Sequence, residues 1–213
     1  MPLSKPFRLH VWGEFALFTR PEMKVERVSY EIMTPAAARG ILEAILWRPE
    51  MRWIVERIDR LAPVDYAQFR RNEVSLKASP DRSAIIIDEA RQQRAALVLR
   101  NPAYLIHAHV ALTDKAGPEN TINKYAAMFE RRANSGQCFQ QPCLGTREFA
   151  ASFRLLADDE PDLPADTTGN PAPGWMFYDF DWRSHPPVPR FFNPQIEAGC
   201  MAVPPSETLE IRA

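Results

Sequence analysis

Residues 12–49 read WGEFALFTRPEMKVERVSYEIMTPAAARGILEAILWRP, a stretch that joins the end of a strand, a basic and aromatic loop, and a capped helix without interruption. Just upstream, Phe7, Leu9 and Val11 alternate with Arg8, His10 and Trp12, the period of a half-buried strand. Further along, Thr34 stands before Pro35. The Thr oxygen accepts one of the free amide hydrogens of a helix start, and Pro has none to leave unpaired. Ala38, Ile41, Leu42 and Ile45 then share one face at helical spacing, and Pro49 ends the helix. The intervening loop carries Arg20, Lys24 and Arg27 among Phe15, Phe18 and Tyr30, a mixture suited to holding phosphates while stacking bases.

Outward from this stretch the alternation continues. Between Trp53 and Leu61 it is partial, which predicts a second strand and leaves a helix open. Arg94–Arg100 and Tyr104–Leu112 read as strands, and in the latter Tyr104, Ile106, Ala108, Val110 and Leu112 share a face opposite Leu105, His107 and His109. The break at Asn101-Pro102 fits either an antiparallel hairpin or a step from one strand to the next. Asn120–Asn134 is a second helix, with Tyr125, Met128, Phe129 and Arg132 in one row and Ser135-Gly136 as its stop. Phe149, Ala151, Phe153 and Leu155 alternate as a further strand. The order predicts an α+β protein: a ferredoxin-like (RNA-recognition-like) βαββαβ domain with inserted strands over residues 1–156. A small Pro-rich β-sheet region is expected over 157–213, because ten of the twenty prolines lie between Pro161 and Pro205 and exclude long helices there.

With 213 residues, 46% hydrophobic and 25% charged, the chain has the composition of a folded globular protein. A net charge of −1 means that nucleic-acid binding must rest on where charges lie. Acids crowd into Asp158–Asp166, which has no Lys or Arg, so an RNA surface is expected on the first two-thirds of the chain. The three cysteines, Cys138, Cys143 and Cys200, form no close pair of the kind that holds zinc and read as reduced thiols. No apolar run approaches the ~20 residues of a membrane span, and the first residues lack the apolar core of a secretory signal, so a cytoplasmic location is expected.

Residues 11–49, RRNEV (Arg70–Val74) and LGTRE (Leu144–Glu148) together resemble the CRISPR-associated Cas-five family, and within it the d subtype of type I-C systems. The resemblance runs from about residue 7 to residue 156. It implies a RAMP protein that cuts precursor CRISPR RNA in each repeat hairpin. It further implies that the protein keeps the 5′ handle of the mature RNA in a surveillance complex, or Cascade, beside Cas-seven and Cas-eight subunits. Double-stranded DNA is a further candidate partner; no membrane is involved.

The implied reaction is metal-independent: a ribose 2′-hydroxyl attacks its own phosphate, which requires a proton acceptor, a cation for the phosphorane and an acid for the leaving oxygen. No cofactor and no metal ligand set is called for. The family's active trio, a Tyr on the first helix and a Lys-His pair opening the second, falls on Leu46, Lys124 and Tyr125. Lys124 and Tyr125 are therefore the candidate catalytic residues. Three outcomes stay open: Tyr125 orients or protonates while Lys124 stabilises charge; His107, His109 or Tyr30 takes over; or cutting is lost and binding kept. Arg20, Lys24, Arg27, Tyr30 and Arg39 are the candidate RNA contacts near the first helix, with Arg70 and Arg71 straddling neighbouring phosphates and Arg147 in the LGTRE turn. The alternatives to this endoribonuclease are a non-catalytic CRISPR RNA-binding subunit and a metal-dependent DNA nuclease, the latter disfavoured by the lack of a carboxylate cluster in the sequence.

Overall fold

The computed structural model describes residues 2–81, 83–169 and 171–208. In chain order the elements are β1 (Phe7–Trp12), β2 (Phe15–Ala16), β3 (Arg27–Val28), α1 (Pro35–Ile45), β4 (Met51–Arg60), β5 (Tyr66–Val74), α2 (Ile87–Ala90), β6 (Arg91–Arg100), β7 (Ala103–Leu112), α3 (Ile122–Asn134), β8 (Ser152–Leu155), β9 (Met176–Asp181), β10 (Val188–Phe192), β11 (Ile196–Glu197) and β12 (Cys200–Ala202). The main sheet has the order β11-β12-β4-β7-β1-β8, with every neighbouring pair antiparallel. A second sheet has β6 between β2 and β3, with β5 also paired to β6; β9 and β10 pair with each other. The chain is an α+β protein of mainly antiparallel sheets with few helices.

Local chemistry accounts for the ends of both long helices. The Thr34 side chain accepts from the Ala37 amide and Pro35 opens α1; the Thr121 side chain accepts from the Lys124 amide and opens α3. Helix α1 stops at Ile45, four residues before the Pro49 expected to end it, because Leu46 is already extended at φ −146°. Gly136, at φ +65°, stops α3 in the left-handed region, and the Gln137 amide returns to the Arg132 carbonyl.

The core lies between the main sheet and these helices. Phe7 of β1, Trp53 of β4 and Phe129 of α3 meet edge to face, with centroids 4.6–5.9 Å apart. The partial alternation of β4 has a cause. Trp53 and Val55 stand opposite Val110 and Ala108, but a bulge between Val55 and Arg57 shifts the register, so Ile58 stands opposite Ile106 and Arg57 opposite His107. One extra residue thereby turns Arg57 and Asp59 to the helix-free face while Ile58 keeps the core face.

Of the two readings of Asn101-Pro102, the structure has the step between sheets: β6 belongs to the second sheet and β7 to the first. Asn101 makes the bend at φ +47°. The LGTRE segment is a tight turn pressed on the first loop, with the Leu17 amide donating to Leu144 O at 3.0 Å. Gly145 has φ +89°, and a Cβ there would stand 2.0 Å from the Leu17 carbonyl oxygen. Gly145→Ala is expected to cost roughly 1–3 kcal/mol of stability, read as a lower urea midpoint at unchanged slope.

The C-terminal strands are tied to the rest. β12 pairs with β4 and so extends the main sheet, while β9 lies against α1. Between β8 and β9 the acidic segment crosses the helix-free face. Arg8 binds carbonyls of Ala157, Asp158 and Glu160 and the Asp162 carboxylate, and Arg60 binds Asp166 at 2.9 Å. This cover is why Leu105 and His107 are both buried on a sheet face that carries no helix.

Candidate active site

The first turn of α3 and the loop after α1 come together at one edge of the molecule. Lys124 is exposed there, its backbone fixed by the Thr121 cap, and its Nζ donates to Asn120 Oδ1 at 3.2 Å. The same oxygen accepts from the Tyr125 hydroxyl at 2.6 Å. One amide oxygen therefore orients both candidate catalytic groups. The Tyr125 residue is 2% exposed, packed among core side chains, and its hydroxyl also reaches Glu50 at 3.4 Å. Removal from water, then the charge and hydrogen bond of Glu50, hold this phenol above the ordinary tyrosine value. The Tyr125 hydroxyl therefore keeps its proton at neutral pH.

Leu46 is fully buried, and its carbonyl accepts from Trp53 Nε1 at 2.9 Å. It contributes packing and no titratable group. Neither histidine replaces what it lacks. His107 and His109 project from the face of β7 opposite the one packed against α3, so the sheet stands between them and Lys124. His109 Nδ1 contacts Ser4 O at 2.7 Å and its Nε2 the Glu56 carboxylate at 2.9 Å. Tyr30, the other substitute considered, is also unsuited: it is fully buried, donates to Trp175 O at 2.9 Å, and burial pushes its pKa up to about 12. Its expected role as an RNA contact is corrected with it, because no face of the ring is open to a base.

The expected cations divide into two groups. Arg20 pairs with Glu31 at 2.7 Å, donates to Pro173 O at 2.9 Å and lies 4.5 Å over the Tyr30 ring. Arg39 grips Asp179 through Nε and Nη2 at 2.7 and 2.9 Å and Glu43 at 2.7 Å. Both fasten the C-terminal region to the first loop and helix. Arg70 and Arg71 do not straddle neighbouring phosphates, since successive residues of a strand point to opposite faces. Arg71 pairs with Glu148 at 2.8 Å and lies over Phe69 and Phe149, whereas Arg70 is exposed. Lys24 and Arg147 are exposed on loops, and Arg27 is half-buried on β3.

Two neighbours of the Lys124–Tyr125 pair, Asn120 and Glu50, were not singled out by sequence. Asn120 stands just before the Thr121 cap and Glu50 just after Pro49; neither position belongs to a recognisable pattern. A second surprise lies on the other face. Sequence spacing offers His107 no further ligand, but strand pairing and the acidic segment bring Asp59, His107 and Asp162 together with ligand atoms within 4.8 Å. Two guanidiniums already sit among them: Arg57 lies 2.7 Å from Asp162 and 2.8 Å from His107 Nε2, and Arg8 lies 2.9 Å from Asp162. Burial alone raises the Asp59 carboxyl, but the His107 hydrogen bond and the Arg57 charge bring it below the ordinary range. No helix among the described residues is long and apolar enough to cross a membrane.

Known proteins agree on what kind of chain this is. The family model described as CRISPR-associated protein (Cas_Cas5) matches residues 7–204. A curated relative from Mannheimia succiniciproducens, "CRISPR pre-crRNA endoribonuclease Cas5d", is 44% identical over 99% of this chain and 100% of its own. A protein of the same name from Thermus thermophilus is 38% identical over 96% of this chain and 93% of its own. Among solved structures, a CRISPR-associated protein superposes with a TM-score of 0.77 at 22% identity, over 99% of this chain and 97% of the other, a likeness of fold. The chain belongs to the CRISPR-associated Cas5 family, in its d subtype.

Proposed function

We propose that the protein is a pre-crRNA endoribonuclease acting within the repeat, with Lys124 and Tyr125 at its reaction centre. The identity of 44% to the Mannheimia succiniciproducens endoribonuclease over nearly the whole of both chains carries this reading. In the proposed reaction the scissile phosphate rests at the first turn of α3, where the helix dipole favours an anion. The ribose 2′-hydroxyl attacks the phosphorus as its proton passes to solvent water, the exposed Lys124 ammonium stabilises the phosphorane, and as the P–O5′ bond breaks Tyr125 gives its proton to the departing 5′-oxygen and is reprotonated from water. Asn120 is the positioning residue, since its Oδ1 holds both groups at once. The upstream product ends in a 2′,3′-cyclic phosphate and no metal takes part.

The strand order β8-β1-β7-β4, with α1 between β1 and β4 and α3 between β7 and β8, supports a ferredoxin-like unit as the core of residues 1–156. The described residues from 157 to 208 act as a small β region docked on it. Lys24, Arg27, Arg70 and Arg147 are the cations best placed for RNA backbone contact, because Arg20, Arg39 and Arg71 are engaged by carboxylates. After cutting, the protein keeps the 5′ handle in a cytoplasmic type I-C assembly with Cas-seven and Cas-eight subunits.

A second reading, a binding subunit without cleavage, is favoured by one observation: the buried Leu46 at a position expected to carry a catalytic phenol. Incubating purified protein with its cognate repeat RNA in excess EDTA separates the two. The nuclease reading expects two discrete products; intact RNA at every enzyme excess, with binding retained, selects the second.

The raised pKa of Tyr125 makes a separate prediction. A phenol acting as the acid stays protonated below its pKa, so single-turnover cleavage should hold through pH 9 and fall only above the ordinary tyrosine value of about 10. A rate already halved by pH 8 would remove Tyr125 from the role of acid.

A further inference from the structure

The helix-free face of the main sheet carries a row of cations that the proposed reaction does not use. Strand register sets Arg8 of β1 beside His107 of β7, and His107 beside Arg57 of β4. In the adjoining row Arg154 of β8 stands beside His10 of β1. The acidic segment lies over them and sets carboxylates on each cation in turn. Asp162 spans two strands, with Oδ1 2.9 Å from Arg8 Nη1 and Oδ2 2.7 Å from Arg57 Nη2. Glu160 takes Arg154 in a fork, both contacts at 2.8 Å, and Asp158 takes Lys5 at 2.6 Å.

Two features set this arrangement apart from an ordinary set of surface ion pairs. A single carboxylate held between guanidiniums of different strands has its two oxygens where the two non-bridging oxygens of a phosphodiester would sit. At Arg8 the burial is also lopsided: its side chain is 17% exposed and that of Asp162 42%, so this cation belongs to the sheet, whereas Arg57 matches Asp162 at 41% and Arg154, at 47%, is more exposed than Glu160 at 30%. The pairs at Arg57 and Arg154 are exposed enough to hold weakly and give way to competing anions, while Arg8 is also held by the Ala157, Asp158 and Glu160 carbonyls.

We infer that Arg8, Arg57 and Arg154, with Lys5 at their edge, form a phosphodiester-binding face for single-stranded RNA, and that Glu160 and Asp162, with Asp158 on Lys5, occupy it in the absence of RNA. The inference rests on the reading of the chain as an RNA-handling protein, but concerns a face remote from Lys124 and separated from it by the sheet. In the free protein the carboxylates screen this face from stray nucleic acid. A strand held near the site exchanges with the acidic segment, phosphate for carboxylate, with no change in the number of ion pairs.

The experiment measures binding of a single-stranded RNA oligonucleotide unrelated to the repeat, as a function of salt, to the full chain and to Asp158→Asn/Glu160→Gln/Asp162→Asn. The altered protein is expected to bind about tenfold tighter at low salt. Its log–log salt slope should steepen by about 2, the value for three more phosphate contacts on a single strand. Adding Arg57→Ala to the altered protein should cancel most of the gain, whereas adding Arg91→Ala, on the distant β6, should not. Unchanged affinity and slope would overturn the inference, and so would equal sensitivity to both arginine changes, which would mark a general charge effect. The single change Asp162→Asn keeps the test decisive if the triple change unfolds: loss of thermal stability without any gain in binding would make the segment a structural staple only. Repeat cleavage by the unaltered protein reports separately on the reaction at Lys124.

Discussion

Lys124→Ala should slow single-turnover cleavage of repeat RNA by about 100- to 1000-fold, the usual cost of removing one group that stabilises developing charge. RNA affinity should change by less than about threefold, because one exposed cation among several phosphate contacts contributes little to binding. The reason for the asymmetry is geometric. Nζ is held by Asn120 beside the Tyr125 hydroxyl, so the charge is positioned for a reacting phosphate and not spread along the strand. The fold should survive the change: Lys124 is exposed, and the helix cap uses its backbone amide. Equal losses of binding and cutting would make Lys124 an ordinary RNA contact. Undiminished cutting would move the reaction centre elsewhere.

Phe129→Ala should destabilise the protein by about 3–5 kcal/mol, the range for removing a large aromatic from a packed interior. Phe129 is fully buried and meets both Phe7 and Trp53, so its loss leaves a cavity bounded by strands β1 and β4 of one sheet, which cannot close over it. Urea denaturation should show a lower midpoint with the slope kept. Because Tyr125 precedes Phe129 by one helical turn and the first turn of α3 rides on that packing, cleavage should also fall below the unfolding midpoint. A cost under about 1 kcal/mol would mean that α3 is not anchored through this contact.

What the sequence made legible was whatever depends on neighbours in the chain. The Thr34-Pro35 cap, the apolar face of α1 and the alternation of Phe7, Leu9 and Val11 are local chemistry, and each appears where it was read. Residue type did not reveal partners brought from afar. Tyr30 looked like a stacking ring in a basic loop because nothing nearby in sequence announces that Trp175 closes over its hydroxyl. Arg20 and Arg39 looked free for phosphate because Pro173 and Asp179 lie about 140–150 positions away in the chain.

The β4 bulge hid more. A single residue out of step blurred the strand pattern, and the same shift turned Arg57 and Asp59 toward His107 and made a cluster no spacing rule would find. The acidity of residues 158–166 was plain in the sequence, but their place was not: the segment lies across the sheet, on the cations of the first part of the chain. Asn120 and Glu50 gave no signal at all, since their roles arise only when the loop after α1 reaches the start of α3.

Cutting of repeat RNA through the ribose itself can be read directly from one substrate. A repeat RNA carrying a single 2′-deoxy nucleotide immediately upstream of the cut is compared with the all-ribose form, in excess EDTA. The all-ribose RNA should be cut, leaving a 2′,3′-cyclic phosphate on the upstream product, and the deoxy RNA should be bound equally well and left whole. Cleavage of both RNAs, or of either only when a divalent metal is supplied, would contradict it.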